Sequence, residues 1–128
     1  MSLATSAVAV MLPVDDVDRA KKFYVESLGL DYTGTDAEGS AMFGLGGGAT
    51  LVLLPRPEGQ RADSTALSWH VDDVAAQVAA LEQKGVVFED YDGPDLKTVD
   101  HVATMDGDTA AWFLDPDGNV LCIHHSSS

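Results

Sequence analysis

The sequence predicts an α+β fold made of two tandem βαβββ modules. Three observations carry this reading. Val14-Asp15-Asp16-Val17 recurs letter for letter as Val71-Asp72-Asp73-Val74, 57 positions later. Each copy lies between a short apolar run and a helical pattern that ends near a glycine. Three strand-like pieces then follow each helix, separated by turn-forming clusters. Strands that follow one another without an intervening helix give α+β rather than a doubly wound α/β sheet.

In the first module, residues 7–13 form an apolar run that stops at the Asp pair, as a strand feeding a helix does. An Asp at that point accepts a hydrogen bond from the free backbone N–H groups of the first turn, and its charge suits the helix dipole. Val17, Ala20, Tyr24 and Leu28 then fall on one helical stripe, and Gly29 supplies the left-handed stop. Strands are expected over 30–35, 40–45 and 50–54. Asp36-Ala37-Glu38-Gly39 and Gly46-Gly47-Gly48 form the turns between them. The glycines Gly44, Gly46, Gly47 and Gly48 are not followed by a helix start or a lysine, so they read as a hairpin turn rather than a phosphate cradle.

The second module repeats the plan. A strand over 66–70 leads into a helix on which Val74, Gln77 or Val78, and Leu81 share a stripe. Glu82 and Lys84 are left to solvent, and the helix ends near Gly85. Strands are expected over 86–91, 109–114 and 119–124, with a short extra strand over 101–105 that turns back through Asp106-Gly107-Asp108. Asp115-Pro116-Asp117-Gly118-Asn119 is a strong hairpin signal. The prolines, charges and glycine around 55–63 have linker composition. The chain is therefore expected to be one domain over 1–128: module one about 7–55, a linker about 56–64 and module two about 65–125.

Bulk properties narrow the partners. At 128 residues the chain suffices for one ordinary core. The formal net charge is −14. Such a surface repels phosphate backbones and anionic lipid, so neither nucleic acid nor membrane is an expected partner. The same acidity serves solubility, or favours a cationic ligand. Cys122 is the single cysteine, which excludes an internal disulfide. No apolar stretch approaches the roughly 18 residues of a membrane span, and the N-terminus lacks the basic region of a secretory signal. A cytoplasmic location is expected.

Three motifs, in order, give the chain a family resemblance. They are Val14-Asp15-Asp16-Val17-Asp18-Arg19-Ala20-Lys21-Lys22-Phe23-Tyr24 with Leu28-Gly29-Leu30, then Trp69-His70-Val71-Asp72-Asp73-Val74, and the Asp115–Asn119 turn. Together they resemble the vicinal-oxygen-chelate superfamily of glyoxalases, bleomycin-resistance proteins and extradiol dioxygenases, over about residues 7–125. The resemblance implies the glyoxalase/bleomycin-resistance fold, a curved mixed sheet forming a cup. In metal-dependent members the cup holds a divalent ion that acts as a Lewis acid. Metal-free members use the cup to sequester a drug. Members often pair into homodimers, which makes a homodimer the expectation here.

Counted from the motifs, the family's usual ligand positions fall on Ala9, Val52, Ala66 and Cys122. Three of these four side chains have no donor atom, and a lone thiolate makes no stable site for zinc, nickel or iron. No cofactor is therefore expected. The alternative is a relocated divalent site: residues two apart share a strand face roughly 7 Å apart, so His124 accompanies Cys122, and His70 and Ser68 accompany Ala66. His70, Cys122 and His124 would then be the donors, with His101 as a fourth. Otherwise the histidines are half-exposed strand-end residues and Cys122 is a small buried hydrophobe. As a nucleophile Cys122 would need a nearby cation or helix N-terminus.

The expected ligand-binding residues are Met11, Ser68, His70, Trp112, Cys122 and His124, with Ala9 and Pro13 on the same face as Met11. Trp112 joins the set by pairing with Cys122 across the turn. The favoured function is metal-independent binding of a small, partly apolar molecule. The alternatives are a lyase or dioxygenase using displaced ligands, and a structural or interaction module whose cup is closed by side chains. No catalytic residue can be named from the sequence.

Overall fold

A computed structural model describes residues 2–56 and 63–126. The chain forms two compact units that divide at residue 61. Most of the linker expected over 56–64 lies outside the described residues.

Unit one contains β1 (Ala9–Val14), α1 (Val17–Lys22), β2 (Asp31–Thr35), β3 (Ala41–Gly44) and β4 (Thr50–Pro55). The strands form a sheet in the order β1-β4-β3-β2. β1 and β4 run parallel, and the other pairs are antiparallel. Asp16 caps α1, its side chain accepting from Arg19 N–H at 3.1 Å. The helix does not run on in α form as its apolar stripe suggests. Phe23–Ser27 is a wider π-helical turn, with Leu28 N–H bonded to the Phe23 carbonyl at 3.2 Å. It ends at Gly29, φ 73°, where Leu30 N–H reaches the Tyr24 carbonyl.

The pleat sorts the residues of this sheet into two faces. Leu12, Val14, Phe43, Leu51 and Leu53 are buried, and Tyr24 of the helix packs its ring 6.0 Å from that of Phe43. The opposite face carries the cross-strand row Met11–Val52–Met42.

Unit two contains β5 (Leu67–His70), α2 (Val74–Glu82), β6 (Thr98–Val99), β7 (Val102–Met105), β8 (Asp108–Leu114) and β9 (Val120–His125). Its sheet order is β5-β9-β8-β7-β6, with β5 parallel to β9 and the rest antiparallel. Asp73 caps α2 by accepting from Ala76 N–H at 3.1 Å, repeating Asp16. Val74, Val78 and Leu81 of α2 are buried, as are Ala111, Phe113, Leu121 and Ile123 on one face of β8 and β9. Phe113 meets Phe88 at 5.2 Å and stacks with Trp69 at 6.5 Å.

One expected strand did not form. Over 86–91 there is only an isolated antiparallel bridge between Phe88 and Phe113, with Glu89 N–H on the Trp112 carbonyl. The reason lies in β8. Its first half is occupied by β7, through Ala103–Ala110 and Thr104–Thr109, so the 86–91 segment has only the second half left to pair with. The hairpin between β8 and β9 is held from within. Asp115, 4% exposed, accepts from the backbone N–H groups of Asp117 and Asn119 at 2.9 Å each, and from Asn119 Nδ2 at 2.8 Å.

Candidate functional site

Strand register decides which side chains share a surface. In unit two Ser68 is opposite Cys122, and Cys122 is opposite Trp112, so these three form one row across β5, β9 and β8. The next row is His70–His124–Ala110. By alternation, all of them stand on the face away from Phe113, Leu121 and Ile123. Five of the six expected ligand-binding residues are thus neighbours. Met11 belongs to unit one, half exposed in its row with Val52 and Met42.

The polar tips of this face are already connected. Ser68 Oγ lies 2.5 Å from His124 Nδ1. With the imidazole proton on Nε2, the hydroxyl donates to Nδ1. The His70 ring packs edge-on to His124 at 5.4 Å and tilted against His125 at the same distance. His125 in turn has Nδ1 2.9 Å from the Val71 carbonyl. This is a Ser–His pair without a third member: among the described residues no carboxylate is bonded to either His70 or His124. A hydrolytic triad needs such a partner to orient its base.

Trp112 is held in place from two sides. Its Nε1–H donates to Thr65 Oγ1 at 3.0 Å, and Tyr91 packs edge-on against the indole at 5.7 Å. Neither Thr65 nor Tyr91 carries a motif that marks it in the sequence; tertiary packing alone brings them here. Cys122 is 4% exposed, and burial pushes its thiol up, with smaller opposing contributions from hydrogen bonding with the Ser68 side chain and the Ala111 backbone. The Tyr91 phenol is also raised, first by desolvation and then by Glu89 and Cys122. A thiol held neutral in this way is a poor nucleophile.

The donor set does not fit a divalent ion. Ala9 opens β1, Val52 sits in the middle of β4 and Ala66 directly precedes β5, and all three are hydrocarbon. The relocated set, though His70, Cys122 and His124 are neighbours, does not converge on a common point. Among the described residues no group of three or more His, Cys, Asp or Glu converges to hold a metal. His101, expected near the others as a fourth donor, is instead bound between Glu82 and Asp90, on the side of α2. Among the described residues, no helix is long and apolar enough to cross a membrane.

Comparison with known proteins agrees with this architecture. A family model described as Glyoxalase/Bleomycin resistance protein/Dioxygenase superfamily matches residues 6–123. The chain is 30% identical to TnmS3, an antibiotic binding protein from Streptomyces sp. CB03234, over 99% of this chain and 100% of that one, with TM-score 0.71. A glyoxalase/bleomycin resistance protein from the same organism is 32% identical over 92% and 98%, with TM-score 0.63. Lactoylglutathione lyase from Agrobacterium tumefaciens shares the fold at 20% identity over 98% and 96%, TM-score 0.69. No functionally curated protein matches the chain. With the family model spanning nearly all of both βαβββ modules, the chain belongs to the glyoxalase/bleomycin resistance protein/dioxygenase superfamily.

Proposed function

We propose that this protein binds a small, partly apolar molecule without a metal ion, on the face of unit two formed by Ser68, His70, Trp112, Cys122 and His124. The observation that carries the reading is the cross-strand row Ser68–Cys122–Trp112 beside His70–His124. It sets an aromatic wall, a buried apolar centre and a few polar tips next to one another, the composition of a small-molecule site. Thr65 and Tyr91 fix the indole, so stacking a planar group on Trp112 orders little that is not already ordered. Ser68 and His124 together offer one donor and one acceptor for the ligand's polar edge.

The hydrocarbon side chains at three of the family's four ligand positions separate this reading from a metal-dependent lyase or dioxygenase. The neutral Cys122 thiol separates it from covalent catalysis. The relative described as an antibiotic binding protein supports a sequestering role and makes antibiotics the first compounds to try, those with a planar group to stack on Trp112 before others. Met11, half exposed on the sheet of unit one, is proposed as a ligand contact on that sheet, and a homodimer acting in the cytoplasm is the proposed form.

The test is a thermal-shift screen of such antibiotics, bleomycin included, followed by calorimetric titration of each hit. Trp112→Ala should weaken a true ligand at least about tenfold, since removing an interfacial tryptophan typically costs more than 1 kcal/mol. Ser68→Ala should weaken it by a smaller factor. Hits whose affinity is indifferent to both changes would overturn the proposed site.

A further inference from the structure

A second feature of unit two lies on the side of α2, apart from the face discussed above. β6 and β7 are joined by Asp100 and His101, flanked by the Val99–Val102 pair. Both turn residues are left-handed, with φ of 51° and 73°. That is the hand a two-residue hairpin demands, although neither residue is glycine. The turn delivers the His101 ring to carboxylates on two other segments. Nε2 is 3.3 Å from Glu82 Oε2 on α2, and Nδ1 is 3.0 Å from Asp90 Oδ1. Phe88 backs the ring at 6.2 Å. Between α2 and this hairpin runs an open groove of about 490 Å³, walled by Val78, Ala79, Val99 and Val102 and rimmed by Glu82, Asp100 and His101.

We propose that this groove binds an amphipathic monocation, an apolar body carrying one ammonium group, and that His101 competes with it for Glu82. Charge complementarity selects the occupant. The groups facing His101 are Glu82 from α2, Asp90 from the segment before β6 and Asp100 within the turn, and all are acids. The chain as a whole carries −14, so the wider field has the same sign. An ion pair with both Glu82 and Asp90 needs a proton on each ring nitrogen, which only the imidazolium has. A neutral ring with its one proton on Nδ1 toward Asp90 has none on Nε2 to give, and Glu82 then faces the apolar groove without that partner. A cation anchored by an alkyl chain along Val78, Ala79, Val99 and Val102 fits that vacancy. Its affinity should therefore exceed that of a neutral ligand of the same shape.

The experiment titrates the full chain with n-octylammonium and, in parallel, n-octanol, following backbone amide shifts by NMR. At about pH 8 the ammonium should bind at least about fivefold tighter than the alcohol. The shifts should centre on Val78, Ala79, Val99 and Val102. Glu82→Gln should remove the preference for the cation and leave octanol binding unchanged. His101→Asn, with a residue that tolerates left-handed backbone, removes the competitor for Glu82 and should tighten ammonium binding without changing octanol binding. Ala79→Phe, an exposed position on the groove wall, should fill the groove and abolish binding of both probes. Equal affinity for the two probes at about pH 8, a cation preference that survives Glu82→Gln, or shifts centred on Trp112 would each overturn the proposal.

Discussion

Replacing Asp115 with alanine tests how the β8–β9 hairpin, which sets the Trp112–Cys122 pairing, is held. The carboxylate accepts hydrogen bonds from Asp117 N–H, Asn119 N–H and Asn119 Nδ2. Asn119 is 3% exposed, so water does not readily replace the two bonds it would lose. Each buried donor left unpaired costs roughly 1–3 kcal/mol, and the more accessible Asp117 N–H costs less. The summed loss for Asp115→Ala is about 3 kcal/mol, which lowers Tm by about 12 °C for a chain of this size. Asp115→Asn keeps one oxygen for the backbone donors but sets its amide NH2 against that of Asn119, so its loss should be intermediate, about 1–2 kcal/mol. The assay is urea denaturation of the three proteins, with scanning calorimetry for Tm. A loss below about 1 kcal/mol for Asp115→Ala would refute the reasoning and leave Pro116 and Gly118 as sufficient to make the turn.

Two other predictions concern groups buried under different constraints. Ser40 is fully buried, and its Oγ has no hydrogen-bond partner among the described residues. Ser40→Ala should therefore be neutral or stabilise the protein by up to about 1 kcal/mol, read by urea denaturation, and a clear destabilisation would mean that the hydroxyl is satisfied. The Cys122 thiol is raised by burial, so the folded state holds its proton more firmly than the unfolded chain. Its contribution to stability is full below the ordinary thiol value of about 8.5 and is lost as pH rises through the folded value. Wild-type stability should thus fall more steeply than that of Cys122→Ala above about pH 8.5, and at pH 8 the thiol should react with a disulfide reagent at least about tenfold more slowly than free cysteine. Parallel pH profiles, or a fast-reacting thiol, would contradict the burial argument.

The sequence was most legible where the physics is local. Asp16 and Asp73 cap their helices because a cap needs only a side chain and the next three residues. The Trp112–Cys122 pair was legible for a related reason: alternation has a fixed period, and the short 115–119 turn leaves little freedom in the register; the Ser68–Cys122 pair depends on the parallel β5–β9 register, which no turn sets. The failures arose where a segment depends on distant partners. Residues 86–91 have the composition of a strand, but the edge they needed on β8 is half taken by β7. The π-helical turn at Phe23–Ser27 keeps the apolar residues of a regular helix, so its pattern does not betray it. Thr65 and Tyr91, which hold Trp112, and the Glu82–His101–Asp90 cluster bring together residues from separate segments, and no spacing rule links them.

The central claim is ligand binding without metal, and elemental analysis of protein purified without a metal-affinity step tests it most directly, combined with titration of an antibiotic hit before and after dialysis against chelator. The account predicts metal far below one ion per chain and an affinity that chelation leaves unchanged. Near-stoichiometric metal that disappears in a His70→Ala, His124→Ala double variant, together with loss of binding on chelation, would contradict it.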